Sequence, residues 1–203
     1  MCGISGIFDF TGHAEVGTAR LGTMANTMSH RGPDGSGVFS EQLESGGVAF
    51  GNARLSIVDI AGSSQPIGSD HGAVLIQNGE IYNHVRLRAQ STGYPWRTSG
   101  DSEAILAMHR PASQSTRGSP GNPAKAHVEW VSRLDGIWAF ALWDPSCREL
   151  VLSRDSMGVK PLVRTLLPDG TLLFASEVKA FRAHPDFRAE PDVDALAVRL
   201  AYE

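Results

Sequence analysis

The first apolar run of the chain alternates. Ile4, Gly6 and Phe8 are interleaved with Ser5, Ile7 and Asp9, which predicts a largely buried strand. Val16, Leu21, Met24 and Met28 recur at roughly helical spacing, so a helix is expected over residues 16–29. Val48-Ala49-Phe50, Leu55-Ser56-Ile57-Val58 and Ala73-Val74-Leu75-Ile76-Gln77 read as strand segments. Residues 83–91 predict a short helix capped by Asn83, and Ser99 or Asp101 is placed to cap the helix carrying Ala104, Ile105, Leu106 and Met108. Trp138–Trp143 and Glu149–Ser153 flank Asp144-Pro145-Ser146, two strands around a turn. Leu172–Ser176 reads as another strand, and residues 177–183 and 191–201 as helices. Two stretches carry no such period. His30-Arg31-Gly32-Pro33-Asp34-Gly35-Ser36-Gly37 reads as a polar, glycine-rich loop. Residues 110–126, with Pro111, Pro120 and Pro123, read as a flexible surface excursion. Many strands with a few helices between them predict an α+β fold whose sheets are covered by helices.

Composition narrows the class. With 203 residues, 41% of them hydrophobic, the chain can bury a full core. A formal charge of −4 gives no electrostatic case for nucleic acid or an anionic membrane surface. The sequence has neither a long apolar span nor a signal-type start, so a cytoplasmic location is expected. The only cysteines are Cys2 and Cys147, and a reducing compartment would keep them unpaired. Cys147 follows a Pro-Ser turn with no neighbouring base, and a structural role is expected for it. The seven histidines are scattered, no metal-ligand spacing appears, and no nucleotide-binding glycine loop occurs.

The candidate chemistry starts at Cys2. Loss of Met1 would give this residue both a thiol and an α-amine. An α-amine titrates at about 7.7–8.0 and so acts as a base near neutrality. Position 2 also suits a small apolar residue opening a buried strand. Asn78-Gly79 after the 73–77 strand offers a side-chain amide and a backbone N–H to an oxyanion, and the same pair is a hairpin signal. Arg54 suits a carboxylate or a strand surface. Glu80 and Asp101 suit an ammonium, and Asp101 equally suits a helix cap.

Together these residues resemble one family. The runs are Met1-Cys2-Gly3-Ile4, His30-Arg31-Gly32-Pro33-Asp34, Arg54-Leu55-Ser56-Ile57-Val58-Asp59, Asn78-Gly79-Glu80-Ile81-Tyr82-Asn83-His84 and Ser99-Gly100-Asp101-Ser102-Glu103. They continue through Leu134-Asp135-Gly136, Phe140-Ala141-Leu142-Trp143-Asp144, Arg154-Asp155, Gly158-Val159-Lys160-Pro161-Leu162 and Phe174–Ala180. In this order they resemble the glutaminase domain of class II glutamine amidotransferases of the asparagine synthetase type. The resemblance implies a four-layer αββα sandwich of the N-terminal-nucleophile hydrolase type, with two mainly antiparallel sheets. It implies removal of Met1 and attack of the Cys2 thiol on the side-chain amide of glutamine. A γ-glutamyl thioester forms, ammonia leaves and water releases glutamate. Asn78 and Gly79 match the oxyanion positions. Arg54 matches the α-carboxylate site with backbone groups of Ile57 and Val58 nearby, and Glu80 and Asp101 match the α-amino end. No metal or cofactor is implied for this half-reaction. Val163 and Arg164 depart from the aromatic pair usual after Gly-Val-Lys-Pro-Leu. The family's ATP-dependent synthetase domain, with its Ser-Gly-Gly-x-Asp-Ser loop, has no counterpart in the sequence. Residues 1–190 are therefore expected to form the glutaminase domain and 191–203 the start of a segment leading into an absent synthetase. ATP and Mg would act only on a separate synthetase chain that receives the ammonia. The alternative is a non-catalytic relic or interaction subunit of a split synthetase.

Overall fold

The computed structural model describes residues 1–12, 16–56, 62, 64–116 and 123–202. The strands are β1 (Gly3–Asp9), β2 (Gly35–Gln42), β3 (Gly47–Arg54), β4 (Ile67–Gly68), β5 (Val74–Ile81), β6 (Gly136–Asp144), β7 (Glu149–Arg154), β8 (Val163–Leu166) and β9 (Leu172–Ala175). The helices are α1 (Thr18–Asn26), α2 (His84–Gln90), α3 (Ser102–Thr116), α4 (Pro123–Val131) and α5 (Val193–Tyr202), with 3-10 turns at Ser29–Arg31 and Val178–Ala183.

The strands form two antiparallel sheets, ordered β2-β3-β1-β9-β8 and β4-β5-β6-β7. Alternation along each strand sorts its residues between two faces. Ile4 and Phe8 of β1 join Phe50, Ile76, Ala139, Ala141, Trp143 and Phe174 between the sheets. Ile7 turns the other way and packs with Leu21, Met24 and Met28 beneath α1. On the second sheet, Leu75, Ile81, Phe140 and Leu142 pack under Ile105, Leu106 and Trp130 of α3 and α4. Three apolar layers therefore separate helix, sheet, sheet and helix, the expected αββα order. Within the first sheet the Phe174 ring of β9 folds over its cross-strand partner Gly6, where a Cβ would lie 2.0 Å from the ring. No helix among the described residues is long and apolar enough to cross a membrane.

Several local expectations change. The loop expected over 30–37 contains a 3-10 turn and the start of β2, whose residues are only half-covered and carry little apolar signal. Leu55 and Ser56 lie beyond the end of β3, and Ile57 and Val58 lie outside the described residues. Of the flexible excursion expected over 110–126, the described residues are helical, α3 continuing to Thr116 and α4 opening at Pro123, and residues 117–122 lie outside the described residues. Pro111 removes one N–H donor from α3 without ending it. Residues 178–183 form a 3-10 turn where a helix was expected. Asn83 precedes α2 but does not cap it through its side chain. Its amide ties the turn before β6 instead, donating to Arg133 O and accepting from Asp135 N. Val163 opens β8 and packs against the helix-side core of the first sheet.

Candidate active site

Strand register carries Cys2 to its neighbours. β1 and β3 pair Gly3 with Ala53 and Ile4 with Asn52, so one step outward sets Cys2 against Arg54. The thiol meets the next residue of that chain: Leu55 N–H donates to Sγ at 3.3 Å, and Sγ lies 3.5 Å from Leu55 O. Both cysteines are unpaired. Burial, with the Asp144 and Glu149 charges, pushes the Cys147 thiol up to about 12, which keeps it protonated and unreactive.

The second wall is the open edge of β5. Asn78-Gly79 is not a turn: both residues lie inside β5 and pair with Ala139 and Trp138 of β6. N–H groups of alternate residues point to opposite edges of a strand. Tyr82 N–H reaches Asp135 O on the β6 side. Gln77 and Ile81 N–H point the other way, to Gln65 Oε1 (2.6 Å) and Asp101 Oδ2 (2.8 Å). Gly79 N–H falls between them on that same edge and faces the cavity beside Cys2. Only glycine fits there, since a Cβ would lie 2.2 Å from Ile137 O. Asn78 is 1% exposed, and its Nδ2 is buried without a hydrogen-bond partner. A buried amide donor left unpaired costs about 1–3 kcal/mol, a cost that a bound acceptor removes.

The cavity, about 90 Å³, is lined by Cys2, Arg54, Asn78, Gly79, Glu80 and Asp101. All the expected site residues within the described part of the chain thus converge, and Ile57 and Val58 lie outside it. Asp101 is buried at the floor and Glu80 exposed at the mouth. Asp101 does not act as a side-chain cap for α3. Its Oδ2 accepts from Ile81 N and, at 3.3 Å, from Gln77 Nε2. It makes no ion pair among the described residues, so a buried carboxyl group faces the cavity with the Arg54 side chain in the same wall.

One further cation fixes the backbone of Cys2. Arg31 Nε donates to Cys2 O at 3.0 Å, and its Nη1 donates to Glu177 Oε1 at 2.8 Å. Burial would raise the Glu177 pKa, but bonds from Arg31, Lys179 and His30 overcome it and hold the carboxyl down to about 2. His30 is thereby bound to a carboxylate rather than placed at the thiol.

A family model described as "Glutamine amidotransferase domain" matches residues 1–203. The chain belongs to the glutamine amidotransferase family. It is 35% identical over 206 residues to the protein named asparagine synthetase [glutamine-hydrolyzing] 3 of Bacillus subtilis, which covers 97% of this chain and 30% of that protein. Over 182 residues it is 35% identical to asparagine synthetase B of Escherichia coli, covering 89% of this chain and 30% of the relative. A putative asparagine synthetase of Mycobacterium tuberculosis is 42% identical over 164 residues, covering 76% and 23%. The chain thus spans less than a third of the length of these relatives. A solved structure of glutamine phosphoribosylpyrophosphate amidotransferase from B. subtilis shares the fold, with TM-score 0.68, 22% identity and coverage of 90% of this chain and 43% of that one.

Another lining residue of this amidotransferase domain, Gln65, carried no sequence signal. Gln65 Oε1 accepts from Gln77 N and, at 3.3 Å, from Asn52 Nδ2, joining the two sheets beside the cavity. Its Nε2 lies 3.4 Å from Ser102 Oγ. Lys160 and Met1 meet at the rim, where Nζ lies 3.3 Å from the Met1 sulfur. Lys160 lies within a quoted run, Gly158–Leu162, but nothing local to that run points it at Cys2.

Proposed function

We propose that this domain hydrolyses glutamine to glutamate and ammonia through a γ-glutamyl thioester on Cys2, and that the ammonia feeds an amide-forming, asparagine-synthetase-like site. The observation that carries the reading is the buried, unpartnered Nδ2 of Asn78 in the same cavity as the Cys2 thiol. Names of the relatives support the substrate, since they are glutamine-hydrolysing asparagine synthetases.

The residues divide the work as follows. Removal of Met1 frees the Cys2 α-amine, which takes the thiol proton. The thiolate attacks the side-chain carbonyl carbon of glutamine, and Asn78 Nδ2 and Gly79 N–H hold the oxyanion. The amine then gives its proton to the departing ammonia, leaving the thioester. Water, deprotonated by the same amine, attacks the thioester carbonyl. Glutamate leaves and the thiol is reprotonated, so the protons balance over the cycle. Arg54 holds the α-carboxylate together with backbone groups of Ile57 and Val58. Asp101 and Glu80 hold the α-ammonium, which neutralises the buried carboxylate of Asp101. No metal or cofactor enters this half-reaction. ATP and Mg belong to the synthetase partner that receives the ammonia.

The test is glutamate release from glutamine by purified protein, alone and with a candidate synthetase. Loss of release in Cys2→Ala supports the reading. Retained Met1 with no labelling of Cys2 by a glutamine-analogue electrophile favours a non-catalytic subunit instead.

A further inference from the structure

The seven histidines are scattered along the sequence, yet the fold gathers several at one end of the second sheet. His71 lies between β4 and β5, His109 on α3 and Asp144 at the end of β6. One ligand atom from each of these three residues lies within 4.8 Å of the other two. The His71 and His109 rings lie 6.2 Å apart, centroid to centroid. His109 and Asp144 side chains are fully buried, and that of His71 is 15% exposed.

The hydrogen bonds fix which atoms are left over. His71 Nδ1 lies 3.2 Å from Asp70 Oδ1. A carboxylate only accepts, so Nδ1 carries the proton, and Nε2 of the neutral ring carries the lone pair. That Nε2 is buried without a partner. A histidine with one nitrogen on a carboxylate and the other unpaired is the arrangement of a metal-ligating imidazole. His109 Nε2 lies 2.9 Å from Asp144 Oδ2, while Asp144 Oδ1 accepts from Ser146 N at 2.8 Å and from Ser146 Oγ. Both Asp144 oxygens are thus engaged, Oδ2 by His109 and Oδ1 by Ser146. A buried His–Asp pair accounts for His109 Nε2 and Asp144, although His109 Nδ1 is itself buried without a partner. The pair leaves the His71 lone pair unexplained.

We propose that His71, His109 and Asp144 bind a divalent transition-metal ion of the zinc type. Two imidazoles and a carboxylate are borderline nitrogen and oxygen donors, which suit Zn²⁺ and not Mg²⁺ or Ca²⁺. Ligand bonds of about 2.0–2.1 Å put tetrahedral donors about 3.4 Å apart, so closure requires a shift of His71 of roughly 1 Å. The ion takes the place of the proton between His109 Nε2 and Asp144 Oδ2, which passes to Nδ1 or to solvent. His71 sits on the entry side, and Asp70 orients its ring. Three protein ligands leave a fourth position for water. Cys147 Sγ lies against Glu149 Oε2 at 3.4 Å and is not among the ligand atoms that meet within 4.8 Å. The site is separate from the catalytic cavity: Ile137 lines that cavity, and Asp144 lies seven residues further along β6, roughly 23 Å away. Its role is to tie α3 and the β4–β5 turn to the end of β6.

Protein stripped with a chelator is incubated with Zn²⁺ or Co²⁺, desalted, and assayed for bound metal. One equivalent is expected. The Co²⁺ form should show visible d–d bands without thiolate charge transfer, which excludes coordination at Cys2. His71→Ala should weaken binding at least 100-fold, and Asp70→Asn about 10-fold. His30→Ala, remote from the cluster, should bind as the parent does. A His71→Ala melting curve matching that of the metal-free parent shows that the variant is folded. No retained metal, a thiolate band, or undiminished binding by folded His71→Ala overturns the proposal.

Discussion

Arg31 Nε donates to the carbonyl oxygen of Cys2 at 3.0 Å, while the same guanidinium bonds Glu177. Cys2 stands just before β1, where no strand pairing holds it, and this bond fixes its carbonyl. Arg31→Ala is expected to lower kcat for glutamine hydrolysis about 10- to 100-fold, with a smaller change in KM, because about 1 Å of misplacement costs about that much. Arg31→Lys should not restore the rate, since a point charge cannot reproduce the two-armed fork. Steady-state kinetics on the two variants check both.

Glu177 ties that fork to pH. Its folded pKa is depressed from 4.5 to about 2. A depressed carboxylate contributes stability above its unfolded value and loses it as the pH falls through the folded one. Thermal stability should therefore drop between about pH 4.5 and 2, and Glu177→Gln should flatten that limb of the melting-temperature profile while melting lower at neutral pH.

Gly79 and Gly22 should respond oppositely to a methyl group. At Gly79 the added Cβ meets Ile137 O at 2.2 Å and Trp138 Cα at 2.6 Å, both backbone atoms of β6. Gly79→Ala is expected to cost about 3 kcal/mol or more and to abolish hydrolysis. Gly22 lies within α1 with nothing within 4 Å of an added Cβ. Gly22→Ala should stabilise by about 0.5–1 kcal/mol with unchanged kinetics. Denaturant titrations measure both.

Asp101 meets the substrate ammonium on this account. Asp101→Asn should raise KM for glutamine about 10- to 100-fold, the worth of one charge-assisted hydrogen bond. The loss in kcat should be smaller. A KM unchanged within twofold would return Asp101 to a purely structural role on Ile81 N.

What the sequence disclosed depended on how local the signal was. Cys2, Arg54, Asn78, Gly79, Glu80 and Asp101 each sit in a short run with its own chemistry, and the cavity brings them together. The buried strands β1, β5 and β6 show as apolar runs. β2 does not, because Gly35–Gln42 is only half-covered along its length. The helical continuation past Pro111 was hidden by proline and small polar residues, whose propensity is overridden once α3 packs on the second sheet. Gln65 and the His71–His109–Asp144 cluster were illegible for another reason. Their partners lie far apart in sequence, and only strand pairing and helix packing bring them together.

The central claim is that Cys2, freed of Met1, is the glutaminase nucleophile. Intact-mass analysis after treatment with a glutamine-analogue electrophile tests it most directly. The account predicts a chain lacking Met1 that carries one adduct, mapped to Cys2, with glutamine protecting against labelling and no adduct in Cys2→Ala. Undiminished glutamate release by Cys2→Ala, or an adduct mapped to Cys147, would contradict it.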